Sequence, residues 1–84
     1  MRAKLKLEYK DIPQNLEVGK TYEFRKKRLR WFHTGIEAYL EDKLGNRIAL
    51  IKILNSEITF RNEIAEIVVG STKGEYQVIK LYEN

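Results

Sequence analysis

Arg25-Lys26-Lys27-Arg28-Leu29-Arg30-Trp31-Phe32-His33 packs five cationic side chains, an indole, a phenyl ring and the chain's single histidine into nine residues. Lysine and arginine neutralise phosphates and release their counterions, and the planar guanidinium adds bidentate contacts. An exposed ring beside them offers a base a stacking surface, worth about 1–3 kcal/mol per base. Adjacent residues of an extended segment point to opposite sides, so only one of Trp31 and Phe32 can face inward, and Trp31 is the favoured stacker. Tyr39, sharing the parity of Glu37 and Glu41, is a second candidate and reads equally well as an ordinary exterior tyrosine. His33 could stack or respond to pH, although a lone histidine beside a loop is more often a polar surface residue.

Other chemistries fall away on inspection. Glu37, Glu41 and Asp42 could hold a metal or act as acid and base, but no histidine or further carboxylate is fixed near them, so they read as solvated hairpin residues. Gly70-Ser71-Thr72-Lys73-Gly74 has the ingredients of a phosphate loop without the Gly-Lys-Ser/Thr order or the following helix, and reads as a turn. Ser56 and Ser71 have no nearby base to make them nucleophiles. With no cysteine there is no disulfide or thiolate metal site. The expectation is a non-catalytic protein with no cofactor and no metal.

Net charge is +4, and it is uneven: residues 1–10 carry +3, residues 11–19 carry −2, residues 20–33 carry +5 and the remaining 51 carry −2. A localised basic field draws polyanions, though it also suits a plain solvated surface. Lys4, Lys6 and Lys52 could extend the track beyond the central segment. Ten Lys, ten Glu and nine Ile against two Gln suggest a hot habitat, where ion-pair networks gain value.

These side chains need a scaffold, and 84 residues suffice for one domain, 1–84, with one core. The longest apolar stretch, residues 48–54, contains Lys52 and is too short to span a membrane; the first six residues lack the apolar centre of a signal peptide. An intracellular, nucleoid-associated protein is expected, with no membrane and no small-molecule substrate among its partners.

Residues 2–10 alternate, with Ala3, Leu5, Leu7 and Tyr9 on one side and mostly lysine on the other, which predicts a half-buried edge strand. Pro13 ends it. A second strand starts at Thr21 with Tyr22 and Phe24 on one face, while Leu29 and Trp31 have the opposite parity. The chain must therefore bulge, bend or leave the sheet between Arg25 and Arg30. Residues 35–54 read as a hairpin turning at Asp42-Lys43-Leu44-Gly45-Asn46, with Gly45 in the left-handed conformation. The return strand, 47–54, is nearly all apolar and is expected at the centre with both faces covered. Residues 55–63 are ambiguous between a helical turn capped by Ser56 and an extended run; a turn of helix or an irregular connection is preferred. Residues 64–69 and 75–82 read as a last hairpin across 70–74. Short strands with tight turns predict an all-β fold, a small five- or six-stranded barrel with at most one short helix.

Leu16, Val18, Gly19-Lys20, Tyr22 and Phe24, then Ile36-Glu37-Ala38-Tyr39-Leu40-Glu41-Asp42, Gly45-Asn46 and Ile48 to Ile53 resemble the OB-fold, over roughly residues 16–82 with the first twelve as an added strand. An SH3-like barrel, as in small chromatin proteins of thermophilic archaea, is the alternative. The resemblance implies that residues 26–34 form a loop that contacts oligonucleotides. It extends more faintly to small β-barrel accessory subunits of thermophilic archaeal DNA polymerase assemblies.

The expected function is nucleic-acid binding, preferably to single-stranded DNA or RNA with weak sequence preference, in replication or nucleic-acid metabolism. Arg25, Lys26, Lys27, Arg28 and Arg30 would hold phosphate, with Trp31, Phe32 and His33 beside them and Lys4, Lys6 and Lys52 further out. The alternative is an accessory subunit of a polymerase, replication or transcription assembly that docks on an acidic patch or tail of a partner protein.

Overall fold

The computed structural model describes residues 2–27, 30–62 and 68–82. Five strands, β1 (Ala3–Lys6), β2 (Thr21–Lys26), β3 (Glu37–Glu41), β4 (Arg47–Asn62) and β5 (Val68–Leu81), form one sheet in the order β1-β3-β4-β5-β2. β1 runs parallel to β3 and every other pairing is antiparallel. The fold is all-β, as the sequence predicts, and consistent with the small OB- or SH3-like class. Among the described residues its helical content is a single 3-10 turn, Tyr9–Asp11. Among the described residues no helix is long and apolar enough to cross a membrane.

Alternation puts one face of this sheet into a single core. Leu5 lies opposite Leu40 and Leu40 opposite Ala49; Ala38, Ile51 and Val78 make the next row, and Ile53, Tyr76 and Tyr22 the row after. Phe24 lies opposite Gly74 and packs its ring against Tyr76 at 6.2 Å between centroids. Both edge strands feed this one cluster, which requires the sheet to curl around it. No pairing joins β1 to β2 among the described residues, so the barrel is left open along that seam.

β4 is the central strand, as expected, but only one of its faces is sealed. Ala49, Ile51 and Ile53 are fully buried, while Ile48, Leu50 and Leu54 are half-buried and Lys52 is exposed. Beyond Leu54 the expected turn of helix or irregular connection is replaced by strand: β4 continues to Asn62, and residue 63 lies outside the described residues. The register slips by one residue between Ile53 and Asn55, so the inward parity passes from odd to even numbers. That slip breaks the period-two signal and makes an extended run look irregular in sequence.

The hairpin expected across residues 70–74 is also corrected, because β5 runs unbroken through them. Gly74 serves close approach instead of a turn: a Cβ there would lie 2.1 Å from the Asn55 carbonyl oxygen and 2.9 Å from Phe24 Cε1. Residues 64–67 of that expectation lie outside the described residues. In the N-terminal segment the strand stops at Lys6, earlier than the alternation suggests. Leu7 is still buried, its N–H donating to the Glu41 carbonyl at 3.0 Å, but the 3-10 turn throws Tyr9 into solvent at 74% exposure.

The β3–β4 turn forms where predicted, with Gly45 at φ 88°. Glu41 and Asp42 are buried, however, and not solvated. Asp42 accepts hydrogen bonds at 2.9 Å from the Leu44 and Asn46 N–H groups and from the Asn46 side-chain amide. Those donors, the Asn46 amide first, hold its carboxyl below the usual range. Glu41 faces Arg47 at 3.8 Å. Asp42 is thus engaged within the turn and Glu41 with Arg47.

Candidate nucleic-acid interface

The open seam between β1 and β2 is a groove of about 650 Å³. Lys6 approaches it from the end of β1, Lys10 from the 3-10 turn, Arg25 and Lys26 from the end of β2, Lys27 from the residue after it, and Lys43 from the β3–β4 turn. Six cations therefore share the groove with two carboxylates, Glu8 and Asp11. Within β2 the alternation still holds, so Arg25 is exposed and Lys26 half-buried on the parity of Phe24. Arg25 lies directly across from Lys73, a like-charge pairing that is unfavourable in an antiparallel ladder. Glu57 answers Lys73 at 3.5 Å, and Arg25 borders the groove.

After β2 the chain leaves the sheet, one of the three outcomes expected between Arg25 and Arg30, although the ring it buries, Phe32, has the parity of Phe24 and Trp31 faces out. The chain crosses the core to β4, where the Gly35 N–H donates to the Ile53 carbonyl at 2.6 Å and the Ile53 N–H to the Ile36 carbonyl at 2.9 Å. The crossing starts from an anchor on β5: the Arg30 N–H donates to Thr72 Oγ1 at 2.9 Å. Thr72 lies opposite Lys26 in the sheet, and its neighbour Ser71 lines the groove, so the crossing begins at the groove's wall.

From that anchor the segment sorts its side chains. Phe32 is only 2% exposed and meets Phe24 edge to face, ring centroids 6.1 Å apart. Arg30 spreads its guanidinium over the Phe32 ring at 5.5 Å and remains exposed. Trp31 is 61% exposed, with the His33 ring 4.1 Å away. Phe32 is thereby removed from the expected binding residues: it is the plug that fastens the crossing to the core. Trp31 is the outward member of the pair.

The other expected site residues divide. Lys6, Arg25, Lys26 and Lys27 meet in the groove, whereas Lys4 and Lys52 sit on the sheet's outward face and do not line it. Arg28 lies outside the described residues. Tyr39 is covered by Arg47, whose guanidinium carbon is 3.6 Å from the ring centroid, and its hydroxyl accepts from Arg2 at 3.2 Å. A base stacking on the ring face that Arg47 covers would have to displace it. Lys10 and Lys43 were not singled out by sequence. Lys10 belongs to the same basic N-terminal run as Lys4 and Lys6; Lys43 carries no local signal, being an ordinary turn residue until the sheet curls.

Comparison with protein-family models, with curated proteins and with solved structures finds no significant match.

Proposed function

We propose that the protein is a non-catalytic binder of nucleic acid, with single-stranded DNA or RNA preferred and little discrimination by sequence. The observation that carries this reading is the convergence of six cations from four separate parts of the chain on one open groove. The exposed indole of Trp31 does not line it but follows Arg30, which is anchored to Thr72, the chain neighbour of the groove residue Ser71. Phosphates would lie along Lys6, Lys10, Arg25, Lys26, Lys27 and Lys43, and an unpaired base would stack on Trp31. A duplex keeps its bases stacked on one another and can use only the cationic part of this surface. Such a module fits replication or nucleic-acid metabolism inside the cell, and the charged, glutamine-poor composition fits a thermophile.

Trp31 is the sole tryptophan, so its fluorescence reports directly on the interface. Titration with single-stranded and duplex oligonucleotides at two salt concentrations should give quenching by the single strand alone and a steep loss of affinity with salt. Absence of binding at low salt would falsify the reading.

A second reading rests on the groove's rims. β1 and β2 each leave one strand edge unpaired among the described residues, so an extended, carboxylate-rich tail of a partner protein could pair its backbone there and its side chains with the lysines. Accessory subunits of polymerase or transcription assemblies would use such a surface. A partner that stays bound after nuclease treatment favours this reading over the first.

A further inference from the structure

β4 outruns β3. Its ladder with β3 ends at Lys52 opposite Glu37, and the last backbone bonds on that side involve Ile53. On the other side it stays paired with β5 as far as Asn62 opposite Val68. Residues 55–62 therefore present one strand edge with no described backbone partner. β5 outruns β2 in the same way beyond Thr72. The result is a two-stranded ribbon that extends past the sheet in a molecule measuring 46 × 25 × 24 Å.

Isolated two-stranded ribbons are marginal in water, and open edges are templates for further pairing. Natural edges are commonly blunted by proline, lysine or a bulge. Residues 55–62 contain no proline and no lysine, and the one bulge lies at their start.

The order of residue types along this edge is self-complementary. Glu57-Ile58-Thr59-Phe60-Arg61 runs acid, apolar, hydroxyl, apolar, base. Two copies laid antiparallel about a two-fold axis at Thr59 would set Glu57 opposite Arg61 of the second copy, Ile58 opposite its Phe60, and Thr59 opposite its Thr59. Opposite charges, an aromatic facing a β-branched residue, and paired threonines are the cross-strand combinations that favour pairing. Symmetry supplies the ion pair twice. A slip of two residues in either direction brings Glu57 or Arg61 opposite Thr59 and loses both ion pairs. Glu57 has the freedom to change partners, because its side chain is 69% exposed beside Lys73.

We propose that the β4 edge from Asn55 to Asn62 pairs with the same edge of a second copy, making a two-fold dimer with one continuous ten-stranded sheet. The partner is another copy of this chain because the charge order matches its own reverse. The inference is independent of what fills the groove, and a dimer would carry two grooves on one rigid body, which strengthens binding to any long polyanion.

Sedimentation equilibrium from micromolar to millimolar protein should show a monomer–dimer equilibrium. Arg61→Glu makes both ends of the edge acidic and Glu57→Arg makes both basic, so each variant alone should dimerise at least about tenfold more weakly. An equimolar mixture of the two should recover a heterodimer, and the double variant Glu57→Arg/Arg61→Glu should recover the homodimer. Thermal transitions of all four proteins check that the variants fold. A wild type that stays monomeric throughout, a dimer indifferent to either reversal, or a mixture without recovery each overturns the proposal. None of these outcomes depends on oligonucleotide binding, so the two readings fail separately.

Discussion

The backbone N–H of Arg30 donates to Thr72 Oγ1 at 2.9 Å, with Thr72 itself fully buried. Through this bond β5 sets the phase of the segment that follows β2. One residue on, Trp31 is outside; two residues on, Phe32 is inside. The segment's chemistry depends on this phase, because a shift by one residue would bury the indole and expose the phenyl ring.

Replacing Thr72 by valine preserves shape and deletes the acceptor. The Arg30 N–H then loses its protein partner in a part-buried position, and thermal or urea unfolding should show a loss of about 1–2 kcal/mol. Oligonucleotide affinity should fall as well, since the segment that holds Trp31 loses its anchor.

Trp31 and Phe32 should separate binding from stability. Phe32→Ala empties a site packed against Phe24 and should cost about 3–5 kcal/mol of stability. Trp31→Ala should leave the unfolding transition nearly unchanged and weaken single-strand binding by about 1–3 kcal/mol. The reverse pattern in paired denaturation and binding curves would mean that the two rings have exchanged roles.

Lys43 tests the groove, because only the curl of the sheet brings the β3–β4 turn to the end of β2. If the groove takes phosphates, the log–log salt dependence of single-strand binding should become shallower by about 0.7 in Lys43→Ala, one counterion's share. Lys52→Ala, on the outward face, should leave the slope unchanged. Equal effects from the two variants would indicate a diffuse field and no groove.

Tyr76 offers a pH test. Its hydroxyl is fully buried without a hydrogen-bond partner among the described residues, and burial, with Tyr22 nearby, pushes its pKa up to about 12. The native state therefore holds this proton more tightly than the unfolded chain, whose tyrosine ionises near 10. Stability from this source is intact below about pH 10 and declines as pH rises toward 12, because the unfolded state alone sheds the proton. Tyr76→Phe removes the unpaired hydroxyl, so it should not destabilise the protein at neutral pH and should flatten the alkaline limb of the stability curve. A neutral-pH loss above about 1 kcal/mol would point to a partner for that hydroxyl.

Much of this protein can be read from local pattern. Alternation at Tyr22 and Phe24 and again at Ala38 and Leu40 marks strands because a half-buried sheet imposes period two. Asp42 and Gly45 mark the turn because few residue types satisfy its backbone. The opposite parity of Phe24 and Trp31 flags an irregularity between Arg25 and Arg30 without choosing among a bulge, a bend and a loop, and neighbouring residues of an extended segment cannot both be buried. Local pattern failed where long-range pairing sets the answer. The register slip at Leu54 hides the continuation of β4, since parity is conserved only while the ladder is regular. Gly74 reads as a turn glycine until the Asn55 carbonyl is seen pressed against it. Lys43 joins Lys6 and Lys27 only because β1 and β2 curl toward each other without pairing, and that closure depends on the order of strands in the sheet. Composition and spacing marked where most strands begin, the basic segment, and that only one of two adjacent rings can be buried. The tertiary structure decided which ring faces water and where the cations converge, because the Thr72 anchor and a groove between edge strands belong to no single stretch of chain.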